Sequence, residues 1–145
     1  MVALLQRVSA AAVDVAGARV AAIGPGLLVF IGVESDDDER RAARLAERVL
    51  GYRVFADAAG KMNRSVCDVN GELLVVPQFT LVADTRKGTR ASFTPAAVPQ
   101  EGQRLFDCFT GEIRRAYPRV ATGVFGAHML VTSTNDGPVT FWLTA

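Results

Sequence analysis

Histidine is nearly missing from this chain: among 145 residues, only His128 carries an imidazole. Any Ser-His-Asp or Cys-His scheme must therefore run through that one residue. His128 precedes Met129-Leu130-Val131 in a strand pattern, where a satisfied or exposed histidine is the plainer reading. Cysteine is almost as scarce. Cys67 and Cys108 show no CxxC spacing and no metal-type cluster, so both read as reduced packing residues, and neither a cofactor nor a metal is expected. Long apolar runs are lacking as well. Nothing approaches the roughly 18 residues of a membrane span, and no basic start with an apolar core and cleavage site marks export. The expectation is a cytoplasmic protein with no membrane association. Charge of either sign has little excess: 16 Lys and Arg against 15 Asp and Glu leave a net charge of +1. Coating a long stretch of phosphate needs many cationic contacts, so that role is excluded, whereas gripping only the end of a nucleic acid is compatible.

What the chain does have is apolar surface. Hydrophobic residues make up 50% of it, rich for a small domain, which points to surface covered by a partner; a homodimer is the simplest solution. The length suits one domain spanning residues 1–145. Residues 2–9 and 11–16 alternate apolar and polar side chains, Ala16-Gly17-Ala18 turns the chain into Arg19–Ile23, and the three segments read as an antiparallel meander. Leu27–Val33, after the Gly24-Pro25-Gly26 turn, is a continuous apolar run suited to a central strand buried on both faces. Ser35 before Asp36, Asp37 and Asp38 signals a helix start, with Leu45, Val49 and Leu50 at helical spacing up to about Gly51. Tyr52–Phe55 reads as a short strand and 56–60 as a turn. Glu72–Leu81 reads as a strand interrupted by Pro77, which marks an edge, a bulge or the point where the chain leaves the sheet. A second amphipathic helix follows Pro99, and strands return at 128–134 and 138–144. The fold class is α+β: mainly antiparallel, barrel-like strands with two helices packed on one side.

Two segments carry the functional signal. In Asn135-Asp136-Gly137-Pro138-Val139-Thr140 a Gly-Pro step stands before an apolar strand. Gly137 lacks a Cβ, so another molecule can approach its main chain, and Pro138 fixes φ and donates nothing. A surface built this way reads shape; alone, it is an ordinary turn. The second segment is Glu72–Leu81, ending in Pro77-Gln78-Phe79-Thr80-Leu81, followed by Ala83-Asp84-Thr85-Arg86-Lys87-Gly88. Together with Gln6-Arg7-Val8-Ser9, Ile23–Val29, Gly60-Lys61-Met62-Asn63 and Phe125-Gly126-Ala127, these motifs resemble the D-aminoacyl-tRNA deacylases, also called D-tyrosyl-tRNA deacylases, over nearly the whole chain. The resemblance implies hydrolysis of the ester of D-aminoacyl-tRNA, including removal of glycine mischarged on alanine tRNA. It also implies no cofactor, recognition of the acceptor 3′ end, and a homodimer with composite active sites. The implied catalytic positions are Gln78, Phe79 and Thr80. The implied substrate-binding positions are Gly137, Pro138, Val139, Thr140, Arg7 and Met129. In the family the Gly-Pro peptide is cis and enters the partner's site, with Arg7 resembling the residue that steadies it. The departure is Pro77, where the family motif commonly has Ser.

Each of these residues also has a plainer reading. A threonine hydroxyl is a poor nucleophile without a base, and nothing in Pro77–Leu81 supplies one, so Thr80 reads as a backbone-bonding residue that holds a bend. Gln78 positions a ligand or is simply polar and exposed. Phe79 stacks on a base or fills the core, the core being the plainer place for its ring. Arg7 is otherwise a surface arginine, and Arg86, Lys87 and Arg90 form a basic loop that either meets acceptor-end phosphates or is merely solvated. With no protein nucleophile, the terminal ribose 2′-OH is left to orient water, while N–H groups of Phe79 and Thr80 stabilise the oxyanion. L-amino acids are expected to clash with the Gly-Pro main chain, so rejection sets the chirality. Two rivals stand beside this reading: an editing module for an L-aminoacyl-tRNA, and a non-catalytic dimeric RNA-binding module.

Overall fold

The computed structural model describes residues 1–145. Its first strand, β1 (Val2–Val15), is continuous, although the hydrophobic pattern breaks near Ala10 and predicts two strands. The break marks a change of neighbour. On one edge, Val2–Val8 pairs with β3 (Gly26–Gly32) and Ala11–Val15 with β2 (Ala18–Ile23). Along the other edge β8 (Met129–Thr144) pairs with both halves. β8 is likewise one strand where two were expected, because residues 136–139 stand out of the ladder without ending it.

β3 is the central strand that its apolar run predicts, buried except at Phe30. It runs antiparallel to β1 and parallel to β6 (Glu72–Pro77), which is parallel in turn to β7 (Val120–Thr122). The sheet is therefore mixed, with parallel pairs where helices make the crossovers. α1 (Glu39–Gly51) lies between β3 and β6, and α2 (Pro99–Ala116) between β6 and β7. A small hairpin of β4 (Phe55–Ala56) and β5 (Met62–Arg64) stands apart, so the short strand expected at 52–55 shrinks and shifts.

Strand alternation divides the interior in two. Leu27, Val29, Ile31, Leu73 and Val75 face the helices, meeting Leu45 and Val49 of α1 and Leu105, Phe109 and Ile113 of α2. Leu28, Leu74 and Val76 face the other way, covered by Val13, Ala21 and Ile23 as β1 and β2 curl over them. This curl makes the sheet barrel-like, with both helices on one side.

The first helix starts later than Ser35 suggests. Asp38 is its N-cap, its carboxylate accepting from Arg41 N at 2.8 Å. Ser35 N donates to Pro95 O at 2.9 Å, inside a bridge between Glu34 and Ala96. Asp37 is also committed elsewhere: its carboxylate accepts from the Met1 amine and, at 2.7 Å, from Glu34 N. Both members of the Met1–Asp37 pair are fully buried. This contact ties the start of β1 to the entry of α1. No helix is long and apolar enough to cross a membrane.

Candidate active site

The site begins where β6 leaves the sheet. Gln78 N still donates to Ile31 O of β3 at 2.7 Å, whereas Val75 O faces the other neighbour and accepts from Gly123 N at 2.8 Å. Main-chain groups alternate along a strand, so the position of Pro77, two residues after Val75, points to the β7 side. β7 pairing stops at Val75–Thr122, and the missing proline N–H therefore breaks no ladder bond. Pro77 is the departure point, one of the three roles expected for it. The chain then coils into a 3₁₀ turn, Phe79–Val82, whose leading N–H groups have no acceptor within the turn. Gln78 does not cap it; its Nε2 donates instead to Thr80 Oγ1 at 2.6 Å.

This lip borders a cavity of about 680 Å³. Gln78, Phe79 and Met129 line it, with Phe93, Phe106 and Phe125 among its apolar walls. Phe79 is 58% exposed, which corrects the core reading of its ring: it packs on Phe93 at a centroid distance of 5.1 Å, on the cavity rim. Met129 is held by a local fit. A Cβ on Gly123 would come 2.8 Å from the Met129 sulfur, and Val124 N donates to that sulfur at 3.4 Å. Phe93 and Phe106 are the cavity residues that sequence reasoning passes over. Phe106 registers only as a helix residue, and nothing in the loop sequence distinguishes Phe93.

The cavity contains no nucleophile paired with a base. Thr80 lies outside its lining and receives only the Gln78 amide. His128 lines the cavity and is exposed, with no side-chain hydrogen bond to Thr80 or to either cysteine. Burial, then the neighbouring Asp68, pushes the Cys67 thiol up; burial, then Glu112, does the same for Cys108. Both are held as poorly nucleophilic neutral thiols. No three His, Cys, Asp or Glu side chains come together as a metal-ligand set.

The Gly-Pro element forms a second locus. Residues 136–138 are exposed where β1–β8 pairing breaks register on either side of Val8. Asn135 braces the excursion from within: its Oδ1 accepts from Val139 N at 2.7 Å and its Nδ2 donates to Thr140 Oγ1 at 3.0 Å. Arg7 braces it from β1. Its Nε donates to Asp136 O at 2.9 Å while Nη1 donates to Val54 O at 2.6 Å. Gly137 has φ +143°, and a Cβ there would lie 2.6 Å from Val139 Cγ2 and 3.2 Å from Arg7 Nη2; the 137–138 peptide is cis. Arg7, Gly137, Pro138, Val139 and Thr140 thus gather at one place, and none of them lines the cavity of the same chain.

The family model described as D-Tyr-tRNA(Tyr) deacylase matches residues 4–144. The D-aminoacyl-tRNA deacylase of Thioalkalivibrio sulfidiphilus is 63% identical, over 99% of this chain and 96% of that protein. That of Vibrio cholerae is 59% identical over the full length of both. Among solved structures, one titled c-Myc DNA Unwinding Element Binding Protein superposes with a TM-score of 0.96 at 36% identity, covering 100% of this chain and 99% of that one. A probable eukaryotic D-amino acid tRNA deacylase shares the fold, with a TM-score of 0.86 at 20% identity over 99% of this chain and 98% of that one. With a family match across nearly all its residues and full-length relatives at this identity, the chain belongs to the D-aminoacyl-tRNA deacylase family.

Proposed function

We propose that this protein hydrolyses the ester bond of D-aminoacyl-tRNA, releasing the D-amino acid and free tRNA. One observation carries the reading: an apolar cavity with a polar main-chain lip at Gln78–Phe79 and no nucleophile–base pair in reach. Such a site suits a substrate that brings its own activating group. The terminal ribose 2′-OH lies beside the scissile carbonyl and orients a water molecule. Water oxygen bonds to the carbonyl carbon, the carbonyl electron pair moves onto oxygen, and the N–H groups of Phe79 and Thr80 stabilise that oxyanion. Collapse breaks the bond to the ribose oxygen, which leaves as a hydroxyl carrying the proton lost by water.

Chirality is set by the Gly137-Pro138 main chain. Arg7 and Asn135 hold this element away from the ladder, and it does not line its own chain's cavity, so it acts on the cavity of a second copy. The active form is then a homodimer with composite sites. The outer edge of β8, where Leu130 is 61% and Trp142 49% exposed, supplies apolar surface for such pairing. Gly137 O receives the substrate amino group, Pro138 occupies the side on which an L side chain would project, and Val139, Thr140 and Met129 complete the contact. A substrate without a Cβ meets no clash, so glycine mischarged on alanine tRNA is also cleared. A cytoplasmic location follows from the substrate.

The second reading is a nucleic-acid-binding module without catalysis, suggested by the name of the 36%-identical structure, a DNA unwinding element binding protein. Deacylation of D-tyrosyl-tRNA against an uncatalysed control separates the two. Loss of the ester faster than the control supports the enzyme; binding with no acceleration supports the module.

A further inference from the structure

Beside the cavity, the chain from Asp84 to Ser92 forms a closed loop whose base is fixed and whose tip is basic. Asp84 N donates to Ser92 O at 2.8 Å and Ser92 N to Asp84 O at 3.0 Å. Arg86 reinforces the closure from inside, with Nε and Nη2 on the two oxygens of Asp84 at 2.9 and 2.7 Å. It holds the Asp84 carboxyl well below the usual carboxylate range. Arg86 is thereby spent on structure. Lys87 and Arg90 are exposed and enter no ion pair. The residue immediately after the closure is Phe93, which lines the cavity and packs on Phe79. Lys87 lies three residues from Asp84 and Arg90 two from Ser92, so each is within about 10 Å of chain from the closed base of the loop, which Phe93 directly follows.

From this juxtaposition we infer that Lys87 and Arg90 bind the backbone phosphates immediately upstream of the terminal nucleoside, making the 84–92 loop a clamp for a single-stranded RNA 3′ end. The occupant is fixed by continuity with the cavity. A nucleoside ester seated there must leave its connecting strand over the Phe79–Phe93 rim. At that rim the strand meets aromatic faces of the kind on which single-stranded bases stack, followed by two unpaired cations. A net charge of +1 suits such a short contact better than a long groove. The inference rests on the deacylase reading for the identity of the terminal group.

Two measurements keep the two ideas separable. The first is the fluorescence anisotropy of an uncharged RNA hairpin with a single-stranded CCA tail, which needs no chemistry. For Lys87→Ala/Arg90→Ala, the slope of log affinity against log salt should flatten by about 1.4, the value for two single-strand phosphates. That corresponds to about a sevenfold smaller loss of binding between about 50 and 200 mM salt. Lys87→Arg should retain the wild-type slope. The second compares D-tyrosyl-tRNA with D-tyrosyl-adenosine, which has no upstream phosphate. The double variant should raise KM for the tRNA with kcat unchanged and leave kcat/KM for the adenosine ester within about twofold of wild type. An unchanged salt slope, or an equal loss on both esters, overturns the clamp. Wild-type protein that binds the hairpin with the expected slope but cleaves neither ester overturns the deacylase reading and leaves the clamp standing.

Discussion

In the proposed mechanism chirality turns on Gly137, and the environment of that residue is tight. At φ +143° any side chain is strained, and a methyl group would overlap Val139 Cγ2. Gly137→Ala is expected to cost about 1–3 kcal/mol of local strain. Activity on D-aminoacyl and glycyl esters should fall together, by more than tenfold, in a deacylation time course. Thr80 is the opposite case. Its hydroxyl accepts one amide hydrogen bond and has no base, so Thr80→Ala should keep about a fifth of kcat or more; the lost neutral hydrogen bond is worth only ~1 kcal/mol. A trapped acyl-Thr80 ester seen by mass spectrometry would contradict this. The cysteines give a third test. Because the fold raises both thiol pKa values, it holds those protons more tightly than the unfolded chain does. Stability should therefore decline as pH rises through and beyond the ordinary thiol range. At pH 8 both thiols should react with iodoacetamide more slowly than a free cysteine, and the labelled protein should remain active.

Among the elements, what could be read from sequence depended on whether the signal was local. The apolar run at Leu27–Val33 and Pro99 at the head of α2 state their own roles. The strand limits did not, because a strand is ended by its neighbours as much as by its residues. β1 continues through Ala10 since β8 pairs with it on both sides of that point. β8 likewise runs through Gly137-Pro138 because Asn135 and Arg7 carry the excursion. The cap of α1 shifted from Ser35 to Asp38 for a long-range reason, the bond from Ser35 to Pro95. Motif residues likewise located the Gln78 lip, whereas Phe93 joins the cavity only through tertiary packing on Phe79. The most consequential long-range contact of this kind is that of the buried Asp37 carboxylate with the Met1 amine. Asp37→Ala removes one of the two carboxylates on that amine, leaving Glu34 at 2.9 Å, and takes the acceptor from Glu34 N; it is expected to destabilise the fold by about 1–3 kcal/mol in denaturant melts.

For the whole molecule, the separation of the two loci is the decisive fact. The Gln78–Phe79 lip and the Gly137-Pro138 element lie on one chain, but only the lip borders its cavity. Two copies exchanging these elements would each complete the other, so a Gly137→Ala chain and a Phe79→Pro chain, each strongly impaired alone, should regain part of the activity when co-refolded. The central claim is that this shared site excludes by shape and attracts nothing by side chain. It is tested most directly by measuring, under single-turnover conditions, deacylation of D-tyrosyl-, L-tyrosyl- and glycyl-tRNA by one preparation. The D-tyrosyl and glycyl esters should both be cleaved while the L-tyrosyl ester survives; comparable rates on the two tyrosyl enantiomers, or no glycyl cleavage at enzyme levels that clear D-tyrosyl-tRNA, would contradict it.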